Sequence, residues 1–375
     1  MRFHVPTQIY FGSGIVDLIE EIVRNRLRSK RPFLVTDKSI IEIGLTDRIF
    51  SLFPEIPYFT DVEPNPRHTT VNQAGDVIRR EKSDLVIAVG GGSVLDAGKA
   101  AALLATNPGG IEEYEGREKY QVPPLPVVAV PTTCGTGSEV TWVSVITHTE
   151  RKFKMSIKGP LMFPAAALVD PDLLISLPKV LIASTGMDAL THAVEAYTVK
   201  PATFMTDIFA CEAAKLIFTY LRPAFQDIRQ NSEARERIMR GSLLAGMAFG
   251  NSDVGAVHCI AESIGSMYDT PHGVANAVFL PFVMSYNLPD AAQRYADLAG
   301  YAGIKESDAM STALSFIEEI KKLSRSLNIP SFRDLGIGEE AFPEIAKKSF
   351  QNNSNPSNIP ELTEDDYLRI LYLAW

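Results

Sequence analysis

The sequence holds no apolar run approaching the roughly 18 residues that a membrane-spanning helix needs, so a bilayer is not expected as its solvent. Cysteine is scarce. Cys134, Cys211 and Cys259 are odd in number, widely spaced and in no CxxC arrangement, which argues against a disulfide framework and fits a reducing, cytoplasmic setting. A basic excess is missing too: 36 Lys and Arg stand against 45 Asp and Glu, a formal charge of −9. No positive field is then available to hold a phosphate backbone, and nucleic acid is not expected as a partner. The opening MRFHVPTQIY pairs no charged stretch with an apolar one, so no secretory leader is expected. What is present suits a globular protein. With 375 residues, 46% hydrophobic and 22% charged, the chain can build two substantial cores.

Short apolar runs at Pro32–Val35, 57–62, Leu85–Val89 and 126–130 read as buried parallel strands. Stretches at helical spacing, such as Ile15–Leu27 and Thr69–Arg80, lie between them. That βαβ rhythm predicts a doubly wound parallel sheet. Thr141–Ile157, with a charged turn at Glu150–Lys152, reads as an antiparallel hairpin, and Ala166–Val169 as a last strand. After Pro178 almost every segment carries the i, i+3, i+4, i+7 pattern, as in Leu181–Thr198, Phe204–Leu221, Ser232–Phe249 and Thr312–Leu327. The expected fold is therefore an α/β dinucleotide-binding domain over residues 1–180 and an all-helical domain over 181–375. Asn352–Pro360 reads as a loop and Glu364–Trp375 as a terminal helix.

The strand Leu85–Val89 runs into Gly90-Gly91-Gly92-Ser93, and a helix is expected over Val94–Ala105. Glycines there let backbone N–H groups and the helix N-terminus approach a pyrophosphate; a tight structural turn is the bland alternative. Pro131-Thr132-Thr133-Cys134-Gly135-Thr136-Gly137-Ser138-Glu139 follows another buried strand, where strand carboxyl ends should line a crevice. The GxGxxG fingerprint is missing. Asp37, which closes the strand Phe33–Thr36, could accept hydrogen bonds from ribose hydroxyls and repel a 2′-phosphate, favouring NAD over NADP, or could simply cap the helix that follows.

Asp188 and His192 stand four apart in a segment apolar nearly all round, so they share one face of a buried helix. A buried carboxylate beside an imidazole must be paired or ligated, and a plain ion pair is the alternative to a metal. His258 and His272 occupy two further glycine-flanked apolar contexts. One carboxylate and three neutral imidazoles suit Fe2+ or Zn2+. His4, His68 and His148 lie in polar or terminal surroundings and read as surface residues.

Four stretches together, GGGSVLDAGK at 90–99, PTTCGTGSEVT at 131–141, TGMDALTHAVEAY at 185–197 and VHCIAESIGSMYDTPHGVANA at 257–277, resemble the iron-containing (group III) alcohol dehydrogenase family. The resemblance implies Asp188, His192, His258 and His272 as ligands of Fe2+, with Zn2+ as the other candidate. It implies Gly91, Gly92, Ser93 and Asp96 at the cofactor phosphates, Thr132, Thr133 and Thr136 along the adenine and phosphate path, and Lys154 and Asn65 on the cofactor side. A solvated hairpin charge is the bland reading of Lys154. Glu262 stands where the family commonly has a further histidine; it could pass protons, join the metal shell or fill space. The implied reaction is hydride transfer between a small alcohol or diol and NAD in a homodimer or larger homo-oligomer, across a cleft between the domains. A sugar-phosphate enzyme similar to dehydroquinate synthase or glycerol-1-phosphate dehydrogenase is the competing reading. It would need clustered basic residues, and 185–200 and 250–280 offer only Lys200. A regulatory nucleotide-binding protein with a structural metal is the non-catalytic one.

Overall fold

The computed structural model describes residues 3–375; Met1 and Arg2, the start of the segment read for a leader, lie outside it. The described residues form nine strands and twelve α-helices. The strands are β1 (Gln8–Phe11), β2 (Pro32–Val35), β3 (Tyr58–Phe59), β4 (Leu85–Gly90), β5 (Gly116–Arg117), β6 (Val127–Pro131), β7 (Val143–His148), β8 (Phe153–Lys158) and β9 (Ala166–Val169). The helices are α1 (Lys38–Glu42), α2 (Asp47–Leu52), α3 (His68–Arg80), α4 (Gly92–Thr106), α5 (Lys179–Thr198), α6 (Phe204–Asp227), α7 (Ser232–Phe249), α8 (Ala256–Tyr268), α9 (His272–Tyr301), α10 (Ala309–Ser326), α11 (Phe342–Phe350) and α12 (Glu364–Ala374). They fall into two compact units. One comprises Val5–Thr133 and Gly137–Leu177; the other comprises Pro178–Trp375 with residues 3–4 and Cys134–Thr136.

The first unit is built on a six-stranded sheet in the order β1-β9-β6-β4-β2-β3, every pairing in it parallel. Alternation along each strand sends side chains to opposite faces. Phe33, Val35, Val86, Ala88, Val127 and Ala129 join one core under α3 and α4, while Leu34, Ile87, Val89, Val128 and Leu168 join another with Ile19, Ile22 and Ile49. Gly98 lets α4 settle onto the sheet, since a Cβ there would meet that of Ala88 at 2.8 Å. From β2 the chain steps outward to β3, then returns across β2 to β4 and onward to β6 and β9. The reversal puts the carboxyl ends of β2 and β4 side by side at a switch point. Thr36 Oγ1 donates to Val89 O at 2.8 Å across it. The hairpin β7–β8 is antiparallel.

Two local expectations need correction, and one strand lies where none was expected. The run 57–62 forms a strand over just Tyr58–Phe59 at the sheet edge, with an isolated bridge from Asp61 to Asp37 beyond it, because Glu63-Pro64 and Pro66 follow at once and proline cannot donate to a ladder. Ile15–Leu27 is not one α-helix; a 3-10 turn at Ile15–Leu18 is followed by π-helical Glu21–Arg26. Gln8–Phe11, which alternation did not single out, is an edge strand beside β9, half-buried and hence weakly patterned.

In the second unit α5 is buried almost throughout from Ile182 to Thr198 and packs against α6, α7 and α9. Small residues permit this. A Cβ on Gly186 would lie 2.2 Å from Leu221 Cδ1, and one on Gly241 2.7 Å from Ile217 Cγ1.

Candidate active site

Because α5 is enclosed, Asp188 and His192 are only 2% and 5% exposed. His258, third residue of α8, is 3% exposed, and His272 opens α9. Ligand atoms of Asp188, His258 and His272 all lie within 4.8 Å of one another. His258 Nε2 is 3.9 Å and His272 Nε2 3.8 Å from Asp188 Oδ1. The His192 ring centroid is 4.5 Å from that of His258. Four residues from three helices thus meet, with His192 contributing its ring beside the tighter set of three. Gly273 makes this approach possible: a Cβ there would sit 2.4 Å from Ser184 O and 3.3 Å from Asp188 Cβ.

Two imidazoles are held in one tautomer. His192 Nδ1 donates to Gly135 O at 3.3 Å, and the ring stacks on Phe249 with centroids 4.1 Å apart. A carbonyl can only accept, so Nδ1 carries the hydrogen and Nε2 the lone pair. His258 Nδ1 donates to Glu195 Oε2 at 2.5 Å, with the same consequence. Glu195, one further turn along the face of Asp188 and His192, also accepts from Gly255 N at 2.9 Å and Val257 N at 2.7 Å. Asn358 Oδ1 takes Ala256 N at 3.1 Å. Glu195 therefore caps α8, where the helix dipole favours its charge, while orienting the histidine that α8 carries.

Asn276 marks the point of convergence. Its Nδ2 lies 2.6 Å from Asp188 Oδ1, 3.1 Å from His258 Nε2 and 3.2 Å from His272 Nε2, so an amide with two hydrogens faces three acceptors. Its Oδ1 is buried with no hydrogen-bond partner. Burial pushes the His192 imidazole down to about 4, leaving it neutral near pH 7. Burial alone would raise the Asp188 carboxyl, but His192, His272 and His258 outweigh it and hold it below the usual carboxylate range. Burial lowers His258, yet the Glu195 carboxylate more than compensates and raises it. An ionised carboxylate among imidazoles with Nε2 lone pairs is a donor set that fits a divalent cation.

On the sheet unit, Asp37 follows β2, Gly91, Gly92 and Ser93 follow β4, and Thr132 and Thr133 follow β6, the carboxyl ends of three neighbouring parallel strands. Gly91 precedes α4 with no side-chain cap, which leaves the positive helix end to an anion. A Cβ on Gly91 would crowd Thr133 Cγ2 at 3.2 Å, and Thr132 Oγ1 is buried without a hydrogen-bond partner. These features fit a pyrophosphate. Lys154 Nζ donates to Asn65 Oδ1 at 2.7 Å, so two residues 89 apart in sequence meet. Asp37 does cap α1, accepting from Ile40 N at 3.0 Å. Both Asp96 oxygens serve the protein, from Ser138 Oγ at 2.6 Å and Val145 N at 2.9 Å. Thr136 is grouped with the helical unit, apart from Thr132 and Thr133.

Residues 6–171 match the model of the family described as iron-containing alcohol dehydrogenase, and residues 182–375 match that of the Fe-containing alcohol dehydrogenase family, C-terminal. The chain belongs to the iron-containing alcohol dehydrogenases. This dehydrogenase is 40% identical to a 1,3-propanediol dehydrogenase of Klebsiella pneumoniae, over 99% of this chain and 98% of that one. It is 36% identical to an NAD-dependent methanol dehydrogenase of Bacillus methanolicus, over 99% and 98%. A crystal structure of a 1,3-propanediol oxidoreductase superposes with a TM-score of 0.96 at 40% identity, covering 100% of this chain and 99% of that one. The dehydrogenase is accordingly an oxidoreductase of alcohols or small diols, of the NAD- and iron-dependent type, and the sugar-phosphate reading is not favoured.

Glu262 of the dehydrogenase is half-buried on α8 and accepts from Asn352 Nδ2 at 2.6 Å through Oε2; it lies outside the set of ligand atoms that cluster. Glu195 and Asn276 were not singled out from the sequence. Glu195 had a signal, a third polar residue at i+7 on a helix otherwise apolar, and Asn276 stands one turn beyond His272.

Proposed function

We propose that this dehydrogenase interconverts a small primary alcohol or diol with its aldehyde, holding Fe2+ through Asp188, His192, His258 and His272 and NAD at Gly91–Ser93. The observation that carries the reading is the convergence of Asp188, His258 and His272 ligand atoms within 4.8 Å, with His192 and His258 locked by Gly135 and Glu195. When bound, the cation supplies a Lewis acid that polarises the substrate's carbon–oxygen bond, and NAD accepts or returns the hydride. Asp188 keeps its negative charge away from solvent, His192 stays neutral, and His192 and His258 both turn Nε2 toward a ligand. His272, with a side chain 28% exposed against 3–4% for Asp188 and His258, marks the side by which substrate enters. Glu262, held by Asn352 through Oε2, is the proposed proton carrier, through Oε1. Asp37 beside the ribose disfavours a 2′-phosphate, which selects NAD over NADP, with Thr132, Thr133, Asn65 and Lys154 on the cofactor side. Similarity to a 1,3-propanediol dehydrogenase over almost the whole length supports a three-carbon diol.

The test is a panel of ethanol, butanol, 1,2-propanediol and 1,3-propanediol with Fe2+- or Zn2+-loaded protein, read by NADH absorbance. Turnover with a short alcohol or diol that ends on chelation is expected; none with any member of the panel overturns the reading. We also propose a homodimer or larger homo-oligomer acting in the cytoplasm. All three cysteines are free and buried, and no described helix is long and apolar enough to cross a membrane. Phe204 and Ile208, a turn apart on α6, are 64% and 61% exposed. Light scattering that returns a monomer mass removes the oligomer.

A further inference from the structure

We propose that the sheet unit carries a second divalent-metal site, formed by His68, His148 and Glu150, which takes a borderline cation of the Zn2+ class and clips the β7–β8 hairpin to the start of α3. These histidines were read as ordinary surface residues, and the fold brings them together from positions 80 apart in sequence. His68 opens α3 and His148 ends β7. Their rings stack with centroids 4.6 Å apart, and the ligand atoms of all three residues lie within 4.8 Å of one another. Glu150 Oε2 is 3.4 Å from His68 Nε2 and 3.0 Å from His148 Nδ1. Donors about 2.0–2.1 Å from a tetrahedral ion are roughly 3.3 Å apart, so small side-chain movements suffice to ligate one ion and leave a fourth position to water. Imidazole nitrogens with one carboxylate select a borderline cation over Mg2+ or Ca2+, which prefer all-oxygen shells.

The site is shaped to act as a clip because its ligands come from two segments already in register. Thr147 N donates to Pro66 O at 2.8 Å, Arg67 bridges Thr147, and Lys154, opposite Thr147 in the hairpin, holds Asn65. His68 and His148 side chains are 8% and 17% exposed and Glu150 is 68% exposed, so the imidazoles are pre-placed and an ion can enter from solvent. An exposed carboxylate against imidazoles contributes little by itself; an ion shared by all three binds only the folded arrangement and raises its stability by mass action.

Zn2+ uptake by the full-length protein, counted by elemental analysis after gel filtration, tests this together with thermal unfolding. The unaltered protein should hold a second equivalent beyond the one at Asp188, and His258→Ala should lose the first and keep the second. His68→Ala/His148→Ala removes two of the three ligands and should abolish uptake of the second equivalent together with its stabilisation. Glu150→Gln, at an exposed position, gives the same readout if the double variant fails to fold. Uptake of a single equivalent by the unaltered protein, or a second one undiminished in these variants, overturns the proposal.

Discussion

Two clusters of histidine with carboxylate stand in this molecule, and they differ in what surrounds them. Around Asp188 the imidazoles are enclosed, one donating to Gly135 O and another to Glu195, itself anchored by two backbone N–H groups of α8. Around Glu150 the carboxylate is open to water and sits at a hairpin tip between two imidazoles that stack on each other and take only long contacts, both 3.5 Å, from Thr149 N and Arg151 N. The first arrangement has its ordering cost met by the fold before any ligand arrives, as a site for chemistry requires. The second leaves part of that cost to the ion, which suits a weaker, exchangeable site.

Removing a ligand from the enclosed cluster should produce the largest effect. His258→Ala or His272→Ala is expected to lower kcat/KM by roughly a thousandfold or more, about 4 kcal/mol of lost transition-state stabilisation. NAD binding, followed by fluorescence titration, should be nearly unchanged; near-normal turnover in either variant would remove the ligand assignment. Glu195→Gln sharpens the contrast, because it touches no ligand atom directed at the cation. Chelator competition should show a 10–100-fold weaker metal. Glu195→Ala should in addition cost about 1–3 kcal/mol in urea unfolding for the backbone donors left unpaired.

A buried carboxyl whose burial outweighs its single backbone donor and the nearby Lys99 should behave differently, and Glu139 is one. It is 3% exposed, and burial raises its carboxyl to about 7 even with Lys99 nearby. A raised folded value favours the protonated group, so the contribution is complete below about 4.5 and is lost as pH climbs through about 7. A shift of that size corresponds to about 3 kcal/mol. Glu139→Gln should flatten the decline of unfolding free energy across that window, and an unaltered slope would show that the group is hydrated. Asp37→Gly should have the mildest consequence for folding. Glycine replaces an N-cap at a cost of a few tenths of a kcal/mol, whereas affinity for NADP should rise. NADP binding as well as NAD to the unaltered protein would exclude Asp37 as the discriminator.

What could be read beforehand follows the range of the interactions. Asp188 and His192 were legible because helical spacing fixes their common face and the apolar neighbours announce burial. The glycines at 90–92 were legible because strand, turn and helix are consecutive. Glu195 was not, since its role is defined by backbone N–H groups 60 or more residues away, at Gly255 and Val257 where α8 begins. His68 and His148 were misjudged for the same reason: the bridge from Arg67 to Thr147 leaves no trace in composition or period. The grouping of Cys134–Thr136 with the helices was hidden because its neighbours on either side read as one loop.

Gly273 has a practical consequence for anyone reshaping this enzyme. With the Ser184 carbonyl 2.4 Å from where a Cβ would stand, even alanine would push the first turn of α9 outward and carry His272 with it. Libraries that vary the residues flanking His272 to widen the range of alcohols should hold this position constant, because a methyl group there would be scored as a loss of specificity when it is a displaced His272, the proposed ligand.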